Sequence, residues 1–205
     1  MHVNNAHAEV NTHAVAVLAG GSSSRMGFDK AQARFGSQTL LDRTIGTAAA
    51  TNPAVIYVCG GSVHATTGLE VEHLIDAAPN EGPLVGLLAA IDAAPGERLV
   101  CIAVDLPLLS AATILEVLSV LDTAEVAVPV TAGRRQWHLS GWRVDRCRER
   151  LWSAFEAGAR SFQQATEDLE VGEMVPNSPV ELVDVDTPGM LREAGGRPPL
   201  RRGLS

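Results

Sequence analysis

Residues 14–30 read AVAVLAGGSSSRMGFDK: an unbroken apolar run from Ala14 to Ala19, a stop at two glycines, then a serine-rich loop carrying Arg25 and Lys30. A run without polar alternation suits a strand buried on both faces, as in a parallel sheet covered by helices. Glycines at its end let backbone amides approach an anion, serines add donors, and the two cations add positive charge. The stretch predicts the first strand and an anion-binding loop of an α/β fold. It matches neither GxxxxGK[ST] nor GxGxxG, which disfavours a P-loop NTPase and a dinucleotide dehydrogenase.

Working outward, the same alternation of buried strands and one-sided helices continues. Leu41, Ile45 and Ala48 share a helical face, AVIYVCGG is a second buried strand, and VEHLI (71–75) is a short strand ending at Asp76. The loop AAPNEG leads to Pro83 at a favoured first helical position, with Leu84, Leu87, Leu88 and Ile91 on one stripe up to Pro95-Gly96. LVCIAV (99–104) is a strand that stops at Asp105-Leu106-Pro107, and Ser110 caps a helix with Ile114, Leu115 and Leu118 inward. EVAVPV, a turn at Ala132-Gly133 and HLSGWRV predict further strands, and Cys147, Leu151, Ala154 and Phe155 a helical face. After a second short helical stretch, VELVDV is a last strand candidate, and GGRPPLRRGLS reads as a mobile basic tail. The expectation is one domain over 14–194, between a frayed tail over 1–13 and the tail 195–205. Its fold class is α/β with a mostly parallel sheet. Ligands of such sheets bind beyond the carboxyl ends of the strands, which points to Gly20 to Lys30, Gly60-Gly61, Asp76 to Pro83, and Asp105 to Pro107.

Composition narrows the function classes. With 46% hydrophobic and 20% charged residues in 205, the chain has material for a core of about one domain. A net charge of −8 is the wrong sign for a surface that neutralises many phosphates, so neither nucleic acid nor an anionic membrane is an expected partner. Three cysteines, Cys59, Cys101 and Cys147, form no CxxC pair and suit a reducing, cytoplasmic setting. No stretch approaches the ~20 apolar residues of a membrane helix, and residues 1–13 lack a basic start followed by an apolar run. Lys30 is the sole lysine among 16 Lys and Arg residues, which suggests a site wanting a compact ammonium.

The thirteen ordered positions LAGGSSSRMGFDK (18–30) closely resemble LAGGxSxRMGxDK, the signature of the molybdenum cofactor guanylyltransferases (MobA-like proteins) of the nucleotidyltransferase superfamily. LIDAAPNEGPLVGLLAAI resembles that family's acidic residue followed by a GPLxG loop and helix. AVDLPLL resembles its metal-binding segment, GRRQWHLSGWR its GRxQPLxALYR stretch, and DVDTPGML its closing NxNTPxxL or DxDTPxxL. The resemblance spans residues 14–191. It implies a Rossmann-like three-layer nucleotidyltransferase fold, with a nucleotide half over about 14–110 and an acceptor half over about 111–194.

The resemblance also implies roles. The reaction would transfer GMP from GTP to the terminal phosphate of the molybdenum-pterin cofactor, with Mg²⁺ as cofactor. Asp105 is the implied metal ligand, a hard oxygen donor leaving a buried strand. Lys30 and Arg25 are implied phosphate contacts. Leu18, Ala19, Gly20 and Gly21 are implied nucleoside contacts, joined by Asp76, Gly82, Pro83 and Leu84. Asp186 either joins the site or caps the last helix, and Asp184, two residues away, would share its face in a strand. Departures fall at Cys59, where relatives often have Asn, at Trp137 and at Gly189. Trp137 and Trp142, five apart in one regular strand, would point to opposite faces, so core packing is expected rather than a stacking platform. His138 reads as a structural or surface histidine. A cytidylyltransferase for the same cofactor, a transferase for another phosphorylated metabolite and an inactive nucleotide-binding docking protein remain open. A molybdenum-inserting enzyme or a recipient molybdoenzyme is a further candidate partner.

Overall fold

A computed structural model describes residues 13–20, 26–60, 68–74 and 81–199. In chain order these form β1 (His13–Leu18), a 3-10 turn (Lys30–Gln32), β2 (Arg34–Phe35), β3 (Gln38–Thr39), α1 (Leu40–Ala49), β4 (Val55–Cys59), β5 (Glu72–Leu74), α2 (Pro83–Ala93) and β6 (Arg98–Ala103). There follow α3 (Ala111–Val120), β7 (Val126–Thr131), β8 (Arg134–Arg135), β9 (Leu139–Arg143), α4 (Val144–Glu156), α5 (Phe162–Ala165), β10 (Val171–Met174), a second 3-10 turn (Pro179–Leu182), α6 (Pro188–Glu193) and β11 (Gly196–Arg197).

The main sheet runs β10-β7-β9-β6-β1-β4-β5, with β8 hydrogen-bonded to β7. β6, β1, β4 and β5 are mutually parallel, and β10 is parallel to β7, while β9 runs antiparallel to both β6 and β7. Because side chains alternate along a strand, β1 buries Val15 and Val17 with Ile45, Ile114 and Val117 on one face. It buries Ala14 and Ala16 with Leu84, Leu88 and Leu151 on the other. The sheet is thus the middle layer of three, with α1 and α3 on one side and α2, α4 and α5 on the other. This is the mostly parallel α/β sheet that the strand and helix pattern predicts and the Rossmann-like three-layer fold that the resemblance implies. α2 is apolar around most of its circumference because the sheet and α4 both cover it. Pro83 stands at its first turn, Ser110 caps α3 by accepting from the Thr113 amide, and the β7–β8 turn uses positive φ at Ala132 (48°) and Gly133 (73°), as a tight hairpin requires. Among the described residues, no helix is long and apolar enough to cross a membrane.

Several expectations are corrected. His13 is not tail but the first residue of β1, buried, with its Nε2 2.9 Å from the Thr51 hydroxyl. The fold also continues past 194: β11 pairs with β2, and with β3 makes a separate three-stranded sheet. VELVDV is not a strand. Pro179 starts a 3-10 turn there, and Glu181 accepts from the Ser110 amide (3.0 Å) and the Thr113 hydroxyl (2.7 Å), which draws the segment against α3 and leaves Val180 and Val183 exposed. The last strand of the main sheet is instead β10, a short edge strand. Gly172 within it lies so close to α3 that a Cβ would meet Val120 Cγ1 at 2.6 Å. In α3, Ile114 and Leu118 face inward but Leu115 is exposed.

Candidate active site

The parallel strands converge at their carboxyl ends on a charged cluster. Asp29 caps the 3-10 turn by accepting from the Ala31 amide at 2.9 Å, Ala31 and Ala33 are buried beneath it, and Lys30 is thereby aimed across the end of β1. Its Nζ donates to Asp105 Oδ2 at 2.9 Å and to Asp186 Oδ1 at 2.5 Å. Burial opposes the charge on Lys30, but the facing carboxylates of Asp105 and Asp186 outweigh it and hold its pKa above the ordinary lysine value. The ammonium stays charged across the neutral range.

Asp105 comes directly off β6. Its turn is tied back to α1 by Arg43, whose Nε donates to the Pro107 carbonyl and whose guanidinium lies 4.9 Å from the centre of the Phe35 ring. Asp186 is brought from far along the chain: the Val185 amide donates to the Asp105 carbonyl at 3.0 Å, and β11 against β2 fastens the segment after α6 to the segment after Lys30. Thr187, not Asp186, caps α6 by accepting from the Met190 amide, so Asp186 is left for Lys30. Asp184 is not on a strand and parts company with Asp186. One carboxylate oxygen each from Asp105 and Asp184 and a ring nitrogen of His138 lie within 4.8 Å of one another. His138 sits beside β6 because its carbonyl accepts from the Ala103 amide at 2.7 Å.

Asp105 is only half satisfied. Its Oδ2 faces Lys30, but its Oδ1 is buried and has no hydrogen-bond partner. A buried, unpartnered carboxylate oxygen carries a desolvation cost that a cation ligated to it would relieve. The donor set therefore fits a divalent metal, with Asp105 as the ligand from the strand end.

The strand-end backbone has its amides committed: Ala19 and Gly20 both donate to the Cys59 carbonyl, at 2.9 and 3.3 Å, and the Leu18 carbonyl accepts from Val104. The Ala19 and Gly20 amides are thus engaged within the sheet. Cys59 itself is buried with its side chain in the α2 layer. Gly82, at φ 92°, precedes α2 and brings no capping side chain; a Cβ there would meet the Arg160 carbonyl at 2.7 Å. Leu84 is fully buried in the α2 layer. Gly21, Arg25 and Asp76 lie outside the described residues.

The core packing expected of the tryptophans is borne out for Trp142, but the opposite-face geometry is not. Trp137 belongs to the turn before β9, not to the strand, and its ring stacks on Trp142 at 6.3 Å and 28°, with Phe162 edge-on to both. Trp142 is fully buried and its indole donates to Ser140, so core packing holds for it, while Trp137 is half-buried with Arg135 over its ring at 6.0 Å. His138, expected as a structural or surface histidine, is exposed, and the pairing of β9 with β6 brings it beside the turn that carries Asp105.

The family model described as MobA-like NTP transferase domain matches residues 15–170. A probable molybdenum cofactor guanylyltransferase of Mycobacterium avium is 32% identical over 185 residues, covering 86% of this chain and 91% of that one. One from Trichormus variabilis is 30% identical over 191 residues, covering 87% and 88%. Among solved structures, the molybdopterin-guanine dinucleotide biosynthesis protein A of Archaeoglobus fulgidus superposes with TM-score 0.74 at 18% identity, over 88% of this chain and 96% of that one. A 2-C-methyl-D-erythritol 4-phosphate cytidylyltransferase of Thermus thermophilus gives TM-score 0.70 at 19% identity, over 89% and 97%. The architecture alone is therefore shared by proteins named for different nucleotides.

Proposed function

As the chain belongs to the MobA-like NTP transferase domain family, we propose that it transfers GMP from GTP to the terminal phosphate of the molybdenum-pterin cofactor, releasing pyrophosphate. The observation that carries this reading is the pairing of the sole lysine, in the loop after β1, with a buried aspartate just beyond the end of the neighbouring parallel strand β6. Relatives of matching length carry the guanylyltransferase name. In the reaction an acceptor phosphate oxygen attacks the α-phosphorus, one P–O bond forms, and the bond to the departing pyrophosphate oxygen breaks. The nucleophile is already an anion, so no side chain has to be deprotonated, and catalysis rests on positioning and charge neutralisation.

Lys30 moves from its carboxylate partners to the nucleotide phosphates as a compact positive charge, and Arg25 contributes a bidentate contact at the β/γ end. Asp105 would hold Mg²⁺, which would supply neutralisation of phosphate charge there. The carbonyls of Leu18, Ala19 and Gly20 suit guanine, whose exocyclic amino group is a donor. Gly21, Asp76, Gly82, Pro83 and Leu84 complete the nucleotide contacts. The three free, buried thiols accord with a cytoplasmic setting. Thermal stability measured with GTP, CTP, ATP and UTP, with and without Mg²⁺, tests the reading, because a ligand that binds only the folded state raises its stability. Selective, Mg²⁺-enhanced stabilisation by GTP is expected. Selection of CTP moves the assignment to a cytidylyltransferase, and no response to any nucleotide overturns it.

A further inference from the structure

The fold treats the three tryptophans of the chain differently. Trp142 is fully buried and its indole N–H donates to the Ser140 hydroxyl at 3.0 Å, and that of Trp152 donates to Asp92 at 3.1 Å. Trp137 is half-buried, and among the described residues no acceptor meets its N–H. Its backbone is nonetheless fixed on both sides. The Gln136 amide donates to the Pro129 carbonyl at 2.8 Å, and the His138 carbonyl accepts from the Ala103 amide at 2.7 Å. Trp142 stacks on the ring at 6.3 Å, and the buried Phe162 stands edge-on to it at 6.4 Å. Arg135, held to Glu173 at 2.7 Å, places its guanidinium 6.0 Å from the ring centre. A large apolar ring that is fixed in place, supported by aromatics and left partly in water with an open donor is built as a ligand platform rather than as a core residue.

We propose that the Trp137 indole is the platform on which the flat ring of the acceptor's pterin stacks, which makes Trp137 a specificity-determining residue for the acceptor. The inference rests on the reading of the chain as a transferase to that acceptor. Sheet order decides which substrate meets the ring. The nucleoside contacts proposed for Leu18, Ala19 and Gly20 lie at the end of β1, beside β4, whereas Trp137 leads into β9, on the other side of β6. Asp105, at the end of β6, stands between the two. The product of the proposed reaction carries its two ring systems at opposite ends of a diphosphate, which is the same order of ring, charge and ring. The stretch that GRRQWHLSGWR resembles has proline where Trp137 stands, so the platform belongs to this chain's own sequence. Stacking on an indole is open to any flat heterocycle, and the Arg135 guanidinium beside the ring offers a second planar surface.

The test uses pterin-6-carboxylate as the probe, excited beyond the absorption of tryptophan, and follows the quenching of its emission as the full-length chain is added. Saturable quenching is expected. Trp137→Leu, which keeps an apolar cover over Trp142 but cannot stack, should weaken binding about tenfold. Trp137→Phe, which still stacks, should stay within about threefold of the parent, and Trp152→Leu, on α4, should leave binding unchanged. Far-ultraviolet circular dichroism of each variant establishes that it is folded. Thermal stabilisation by GTP should be equal in the parent and Trp137→Leu chains, and saturating GTP should leave the probe bound. Absence of saturable quenching by the parent, equal affinity in the Trp137→Leu and parent chains, or displacement of the probe by GTP would each overturn the proposal, the last by putting the ring in the nucleoside site. Loss of the pterin site with GTP stabilisation intact removes the platform but not the nucleotide reading, and Trp137-dependent pterin binding without any nucleotide response does the reverse.

Discussion

Two charged clusters stand at opposite ends of the same sheet, one past the carboxyl end of β6 and one just before the start of β7, and they are built to different standards. At Glu125 every side-chain oxygen is satisfied: Arg150 donates to Oε1 at 2.5 Å and to Oε2 at 3.0 Å, and the Glu170 amide donates to Oε2 at 3.0 Å. Although burial acts to raise its pKa, these hydrogen bonds and the nearby guanidiniums hold Glu125 below the ordinary glutamate value. At Asp105 one oxygen meets Lys30 and the other, buried, meets nothing. A cluster that serves only the fold pairs its charges, while one that awaits a ligand leaves a buried atom short of a partner. The number of charges does not separate the two; the satisfaction of each atom does.

Three substitutions sharpen this contrast. The largest effect is expected from Asp105→Asn, which should lower pyrophosphate release by about three orders of magnitude by removing the metal-binding carboxylate. Its unfolding free energy should stay within about 1 kcal/mol of the parent, because a carboxylate in a like-charged group is lost and Lys30 keeps Asp186. A large loss of stability with activity retained would invert the comparison. Next, Lys30→Met should reduce turnover about a hundredfold by removing a charge aimed at the transferring phosphates. An unchanged rate removes Lys30 from the phosphate site.

The smallest effect belongs to the other end of the sheet. Glu125→Gln should leave turnover unchanged and cost about 1–2 kcal/mol of stability in denaturant unfolding, since Arg150 is well exposed and its pairing partly screened. The pH dependence has a definite sign. A folded-state pKa below the unfolded value stabilises fully above the unfolded glutamate value, about 4.3, and that stabilisation is lost as pH falls through the folded value. The difference between parent and variant should therefore be constant near neutrality and close below about pH 4. A gap that persists in acid would show that the hydrogen-bond geometry, not the charge, is what the substitution removes.

How far the sequence carries varies along the chain for physical reasons. β1, β4 and β6 are legible because strands buried on both faces must be apolar throughout, and α1 because its buried residues recur at helical spacing. β10 escapes notice because an edge strand is half-exposed and VGEM shows neither a long apolar run nor clean alternation. VELVDV misleads in the other direction. Its valines look like a strand, but two hydrogen bonds from α3 to Glu181 bend it into a turn with Val180 and Val183 outside. Strand spacing puts Trp137 and Trp142 on opposite faces, but the turn before β9 rotates Trp137 onto Trp142 instead.

By itself the sequence determined the layered α/β fold and the identities of Lys30 and Asp105 as the charges to watch, because strand burial and strand-end loops are local properties of composition and spacing. Only the tertiary structure decided that Asp186 reaches Lys30 while Asp184 lies near Asp105 and His138, and that Asp105 keeps one oxygen open. Those facts depend on the register of β9 against β6 and on the docking of β11 to β2. Contacts between residues as far apart as 30 and 186 are set by how the elements pack, which no local pattern records.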